Sequence, residues 1–211
     1  NVRESEKDVD LLVGSIKEYF SRSLKKIIKG LKVDDLTAKE RAKALGDLES
    51  AMKEAGMQEQ LAGIKDLFAG ELGRVKELYK EATGKRALLG KVGKEDLQAL
   101  TSFTFEDSAV LLESYIGDVR TQIIQGALGD AKLDIADVID SASDKIAANL
   151  TTEWNTSVSG YSRLAGKIAA EEVGITKFIY LGPVDEVIRP FCAPLVGNVY
   201  TSEQIANMKN E

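Results

Sequence analysis

The chain contains no histidine among its 211 residues, one cysteine (Cys192) and three prolines (Pro183, Pro190 and Pro194). Without histidine the commonest general base is missing, and with it the Ser-His and Cys-His nucleophile pairs and most zinc sites. A lone cysteine excludes an internal disulfide, so thiol usage assigns no redox compartment. Aromatic residues make up only 6 % of the chain, and Ala, Leu, Lys and Glu are abundant, which tilts the class towards helix. No apolar run approaches the 18 residues of a membrane span. A net charge of −6 argues against a chain that binds polyanions with its whole surface. The charged opening does not read as a signal peptide, and the absence of an initial Met reads as processing or an incomplete N-terminus. At 44 % apolar the chain has an ordinary globular composition, enough for a core in one or two domains.

What is present is amphipathic helix. Val9, Leu12, Val13, Ile16, Phe20, Leu24, Ile27, Ile28 and Leu31 recur at three- and four-residue steps, which predicts a helix over 5–31. Thr37 with Glu40 forms a capping box opening a second helix over 37–55, closed by Gly56. Met57, Leu61, Ile64, Phe68, Leu72, Val75 and Tyr79 predict a third over 57–82, and the tight turn at Gly56 suggests a helical hairpin. A short helix over 94–101, a break around Phe103 and Phe105, and a helix over 106–128 follow. Asp134 caps another short helix, and a long one is expected over 143–173, stopped by Gly174. The fold class is therefore mainly α: an amphipathic helical N-terminal region (1–130) and a C-terminal region (131–211). In the latter a long helix leads into a small α+β element with a short β-hairpin.

Three charged stretches invite functional readings. Arg22, Lys25, Lys26, Lys29 and Lys32 fall opposite the apolar stripe of the first helix, as a contact for phosphates or anionic lipid would; a solvated face with dipole-matched lysines is the preferred reading. Residues 84–94 (GKRALLGKVGK) add Lys85, Arg86, Lys91 and Lys94. This is no Walker loop, because five residues separate Gly84 from Gly90 and Val92 follows Lys91; it reads as a basic connector. Asp134, Asp137, Asp140 and Asp144 share a helical face but lack the glycine-centred loop of a calcium site, and read as a solvated acidic face. Ser23 and Lys26 have the Ser-X-X-Lys spacing of a nucleophile with a lysine base, but in mid-helix and without partner motifs. No catalytic constellation emerges, and the expectation is a protein without enzymatic activity, cofactor or small-molecule substrate.

The stretch from Lys177 to Tyr200, KFIYLGPVDEVIRPFCAPLVGNVY, is different. Its three prolines rule out helix. Phe178 to Leu181 read as a strand ended by Gly182-Pro183, and Asn198 to Tyr200 as a second short strand. Gly197 is expected at positive φ. On these residues the chain resembles the tailed-phage minor head proteins with the phage Mu F-like head morphogenesis domain. That family has a helix, an aromatic strand, an Asp, a Cys-Pro-X-Cys or Arg-Pro-X-His turn and a Leu-Asp-Gly-X-Val-Phe/Tyr tail. Here Asp185 stands for the Asp, Arg189-Pro190-Phe191-Cys192 for the turn, and Leu195-Val196-Gly197-Asn198-Val199-Tyr200 for the tail, with Val196 in place of the usual Asp. The resemblance covers roughly 145–203 and says nothing about 1–130.

The resemblance implies a low-copy minor structural protein of a phage head. It would dock on the portal or major capsid protein within a homo- or hetero-oligomeric assembly and act in head assembly and DNA packaging or ejection. It would reside in the virion head, and in the host cytoplasm during assembly. Packaged DNA would be met by Arg22 to Lys32 or by Lys85 to Lys94. In the family a downstream His-Pro-X-Cys-Arg segment often completes a small metal knuckle. Cys192 is accordingly either a small apolar residue or a zinc ligand completed by sequence beyond Glu211, since one thiolate cannot hold a structural zinc. A helical adaptor that never enters a particle is the alternative reading, and an enzyme whose catalytic part lies downstream of Glu211 a third.

Overall fold

The computed structural model describes residues 2–128, 133–180 and 192–208. Helix α1 (Val2–Leu31) is followed by a 3-10 turn at Val33–Asp35 and by short helices α2 (Ala38–Ala44), α3 (Leu48–Glu54) and α4 (Met57–Leu61). Then come α5 (Gly63–Thr83), α6 (Lys91–Gln125) and α7 (Ile135–Val173). A two-stranded sheet, β1 (Lys177–Ile179) and β2 (Val199–Thr201), and a final turn of helix, α8 (Ser202–Ala206), complete the chain. Mainly α with a small C-terminal hairpin is thus the observed class. Among the described residues no helix is long and apolar enough to cross a membrane.

Helix α7 is the centre. Ile139, Ala142, Ile146, Leu150, Trp154, Val158, Tyr161, Ala165, Ala169 and Val173 are buried along its length, and α1, α5 and α6 pack around it. Lys17 reaches Asp144 and Lys25 reaches Asp140, so α1 runs antiparallel to α7. Tyr115 meets Asn149, and Ser108 meets Trp154, so α6 is antiparallel too. Phe68 lies on Tyr161, ring centroids 4.6 Å apart, and Tyr79 approaches Gly166, so α5 runs parallel. Where α1 crosses α5, a Cβ on Gly63 would stand 2.7 Å from Leu12 Cδ1, so a larger residue there would require the leucine side chain to shift. The core runs through the expected boundary at residue 130, because α7 shares one apolar cluster with α1, α5 and α6. The change of architecture comes instead at Gly174, which ends α7 at φ 83°.

Several expected helix boundaries move. The helix expected over 37–55 is two, α2 and α3, separated by a turn at 45–47, with Leu45 and Leu48 both buried. The capping box is present: Glu40 N–H donates to Thr37 Oγ1 (3.4 Å) and Thr37 N–H to Glu40 Oε2 (2.9 Å). The helix over 57–82 is likewise broken at Ala62, between α4 and α5. In contrast, the expected break at Phe103 and Phe105 is absent. The core-facing line of α6 runs Leu97, Leu100, Thr104, Ser108, Leu112, Ile116, Val119, Ile123, with two hydroxyls in its middle. Thr104 and Ser108 return their hydroxyl hydrogens to Leu100 O (3.0 Å) and Thr104 O (2.7 Å), so they are satisfied inside an unbroken helix. Ser108 Oγ also accepts Trp154 Nε1–H at 2.8 Å. Asp134 caps α7 as expected, accepting from Ala136 N–H at 2.8 Å, but the short and long helices predicted there are one.

A buried guanidinium ties the base of the bundle. Arg41 is 8 % exposed. Its Nε donates to Leu36 O (3.0 Å), Nη1 to Ile123 O (2.9 Å) and Nη2 to Asp34 O (2.9 Å). It thereby joins the α1–α2 connection to the last turn of α6, whose carbonyl end favours a cation.

Candidate interaction surface

The C-terminal unit starts where Gly174 stops α7. β1 and β2 pair antiparallel with Lys177 opposite Thr201, Phe178 opposite Tyr200 and Ile179 opposite Val199. Beyond the ladder, Tyr180 N–H donates to Asn198 O (3.1 Å), and Gly197 N–H donates to Tyr180 O (2.9 Å). Gly197 has φ 78°, in the left-handed region. The turn before it is a 3-10 segment, Ala193–Leu195. Leu195 N–H donates to Cys192 O (3.0 Å), Asn198 N–H to Leu195 O (3.2 Å) and Asn198 Nδ2 to Pro194 O (2.8 Å). The structure thus brings Cys192, Leu195, Gly197 and Tyr200 into one small turn-and-strand unit. Asp185, Arg189 and Pro190 lie outside the described residues. Cys192 is half-buried and hydrogen-bonds the Tyr180 hydroxyl, and that bond together with burial pushes the phenol up from its usual 10.0. Among the described residues no group of three or more His, Cys, Asp or Glu is placed to hold a metal ion. Ile179 and Val199, directly opposite each other, are 52 % and 59 % exposed.

The basic face of α1 is not free along its length. Lys25 Nζ donates to both carboxylate oxygens of Asp140, at 2.6 and 2.7 Å, and Ser21 Oγ–H donates to the first of them. Lys17 pairs with Asp144 at 2.6 Å. The acidic ladder of α7 and the lysines of α1, read separately as solvated faces, are partners across the α1–α7 groove. The bonds from Lys25 and Ser21 hold the Asp140 carboxyl below its usual 3.8, and Asp144 holds the Lys17 ammonium above its usual 10.5. Arg22, Lys26, Lys29 and Lys32 remain exposed. Lys25, Lys29 and Lys32 line a cleft of about 830 Å³ that also contains Asp34, Asp35 and Asp134, so its charge is mixed.

The second basic stretch is a strap between α5 and α6. Lys85, Arg86 and Lys94 are exposed; the side chain of Lys91 lies outside the described ones. Ala87 and Leu89 are 1 % exposed and pin the strap to the core. Leu89 sits at φ 55°. The amides of Leu88 and Leu89 both donate to Glu172 Oε2 at 2.8 Å, and Gly90 N–H donates to Oε1 at 2.5 Å. The stretch read as a basic connector cradles an anion with its backbone, and that anion is the chain's own carboxylate. Burial pushes the Glu172 carboxyl up, and the amides of Leu89, Gly90 and Leu88 outweigh it, leaving it below the usual 4.5. Sequence reasoning missed Glu172 because 82 residues separate it from Gly90.

A third polar cluster joins α1 to α5. Glu71, 7 % exposed, accepts from Ser5 Oγ–H (2.7 Å) and Arg74 Nε–H (2.9 Å), and Arg74 Nη1 reaches Asp8 at 3.0 Å. Burial pushes the Glu71 carboxyl up, and the bonds from Ser162, Ser5 and Arg74 outweigh it, leaving it below 4.5. Every described member of this cluster holds another in place, as a structural joint does. No family model, no curated protein and no solved structure matches the chain.

Proposed function

We propose that the chain is a minor structural protein of a tailed-phage head, associated with the portal or inner capsid, present in few copies and acting in head assembly and DNA packaging or ejection by docking. The observation that carries this reading is the order of residues from Gly174 to Tyr200: helix end, aromatic strand, Arg-Pro-Phe-Cys turn, Leu-Val-Gly-Asn-Val-Tyr tail. The unit they build supports a docking role. It is held by backbone hydrogen bonds, presents Ile179 and Val199 outward, and stands on a rigid helical body. Directly opposed apolar residues on an exposed two-stranded sheet gain from a covering partner.

DNA contact, if part of that role, rests on Lys85, Arg86 and Lys94 together with Arg22, Lys26, Lys29 and Lys32. Lys25 is the weakest member, because Asp140 neutralises it. That pairing, with the net charge of −6, also favours the second reading, a helical protein-protein adaptor outside any particle. Quantitative mass spectrometry of purified particles from the source separates the two. A few to a few tens of copies per particle are expected for the head protein; absence from particles leaves the adaptor.

A further inference from the structure

We propose that Glu172 is a latch: one carboxylate on the last turn of α7 fastens the 84–90 strap and the start of α6 to the end of α7, and its removal or neutralisation opens the strap. The geometry is complete for this purpose. Both oxygens of Glu172 are engaged, by three consecutive amides, all on the strap. Helix α6 has no side-chain cap of its own, since Gly90 stands at its N-cap. The negative group that a helix N-terminus favours is therefore supplied by another helix. Lys85 closes the same joint from the other direction, its ammonium donating to Val173 O at 3.2 Å, at the carbonyl end of α7. The latch thus fixes two helix ends at once, and the end of α7 is the segment that leads through Gly174 into β1.

The closed strap is not at rest by itself. Leu89 is a non-glycine residue at φ 55°, a conformation that L-residues leave unless their surroundings hold them there. Two things hold it: the burial of Ala87 and Leu89, and Glu172. Leu88, between them, is 68 % exposed. A neutral carboxamide or carboxyl in its place has lost the charge and turns a donor towards amides that both oxygens of Glu172 now engage, and the strap is released before the helices are. The charged group acting on Glu172 is Lys76 from α5; Lys85 of the strap bonds the neighbouring Val173 carbonyl. The start of α6 presents the Gly90 amide, and Glu171 is its neighbour on α7. The sign follows from an ionised carboxylate stabilised in the folded state: the latch holds above its folded pKa and is lost as the pH falls through it.

The test uses the full chain with Glu172→Gln and, as a control of equal charge change, Glu171→Gln. Lys85 and Arg86 are trypsin sites inside the strap, and their cleavage follows the population of the open form. Cleavage at Lys85 and Arg86 is expected to be about tenfold or more faster in E172Q and unchanged in E171Q, while the helical circular dichroism of both stays native. In amide NMR spectra of the wild type, the Leu88, Leu89 and Gly90 signals are expected to titrate together, with one midpoint below 4.5. In E172Q that shared titration disappears. Equal cleavage of E172Q and wild type overturns the latch, as do three amides that titrate alike with and without Glu172.

Discussion

The helical body and the C-terminal β unit are held together by different forces. Around α7, side chains as large as Trp154, Phe20 and Phe68 are 2 % exposed or less. Beyond Gly174, none of the described side chains is buried, and the order there comes from a ladder, a turn and two helix-cap bonds at Thr201 and Gln204. Apolar burial is cooperative over the whole bundle, whereas a two-stranded sheet is marginal alone. A molecule divided this way is stiff in one part and responsive in the other. Local opening is expected to begin in the part with few buried contacts.

That contrast breaks most visibly at Trp154. Replacing it with Ala removes the largest core side chain and should lower stability by about 4 kcal/mol, read from the denaturation midpoint by circular dichroism; a loss under about 1 kcal/mol would mean that α7 is not the centre of the core. Arg41→Met comes next. It leaves the carbonyls of Leu36, Ile123 and Asp34 without their donor, and about 2–3 kcal/mol should be lost. A neutral result would show that the site accepts an apolar side chain of similar length, as buried charged groups sometimes do.

Gly197→Val tests the other side of the comparison. A β-branched residue at φ 78° costs about 1–2 kcal/mol, paid within the β unit. Whole-chain melting should hardly move, while the Gly197 and Tyr180 amides lose protection from hydrogen exchange. A lower melting temperature of the whole chain would show that the two regions unfold as one. The smallest effect belongs to the α1–α7 zipper. Asp140 has a depressed carboxyl, so its contribution is present above the usual 3.8 and vanishes as the pH falls through the folded value. Lys25→Met should cost less than about 1 kcal/mol at neutral pH and less in salt, with the difference from wild type disappearing in acid.

The same contrast explains what could be read in advance. The stripe of α1, the capping box at Thr37 and the stop at Gly174 are signals carried by neighbours along the chain and are present, and the two short strands are there with bounds shifted to Lys177–Ile179 and Val199–Thr201. The line through α6 was not legible because Thr104 and Ser108 interrupt an apolar pattern. Ser108 accepts from Trp154, forty-six residues away, and Thr104 bonds within its own helix. The break at Leu45 was hidden for the opposite reason, since two leucines three apart looked like one continuing stripe. The pairing of Lys17 and Lys25 with Asp144 and Asp140 had a visible trace: two charge ladders of opposite sign on two long helices. Only packing, not spacing, says that the helices lie side by side. Glu172 left no trace, because one exposed acid among 34 acidic residues looks like any other.

Trp154 is the only tryptophan of the chain, shielded from water, with its indole N–H bonded to Ser108. Its emission is therefore a built-in gauge of the bundle interior: blue-shifted while α6 and α7 stay in contact, and silent about anything that happens to the hairpin. Of the six tyrosines, Tyr19, Tyr79, Tyr115 and Tyr161 lie on helices of the body and Tyr180 and Tyr200 in the β unit, so tyrosine absorbance reports on both regions and the tryptophan on the body alone. A partner that reshapes the hairpin would show itself in tyrosine absorbance while the tryptophan spectrum stays still.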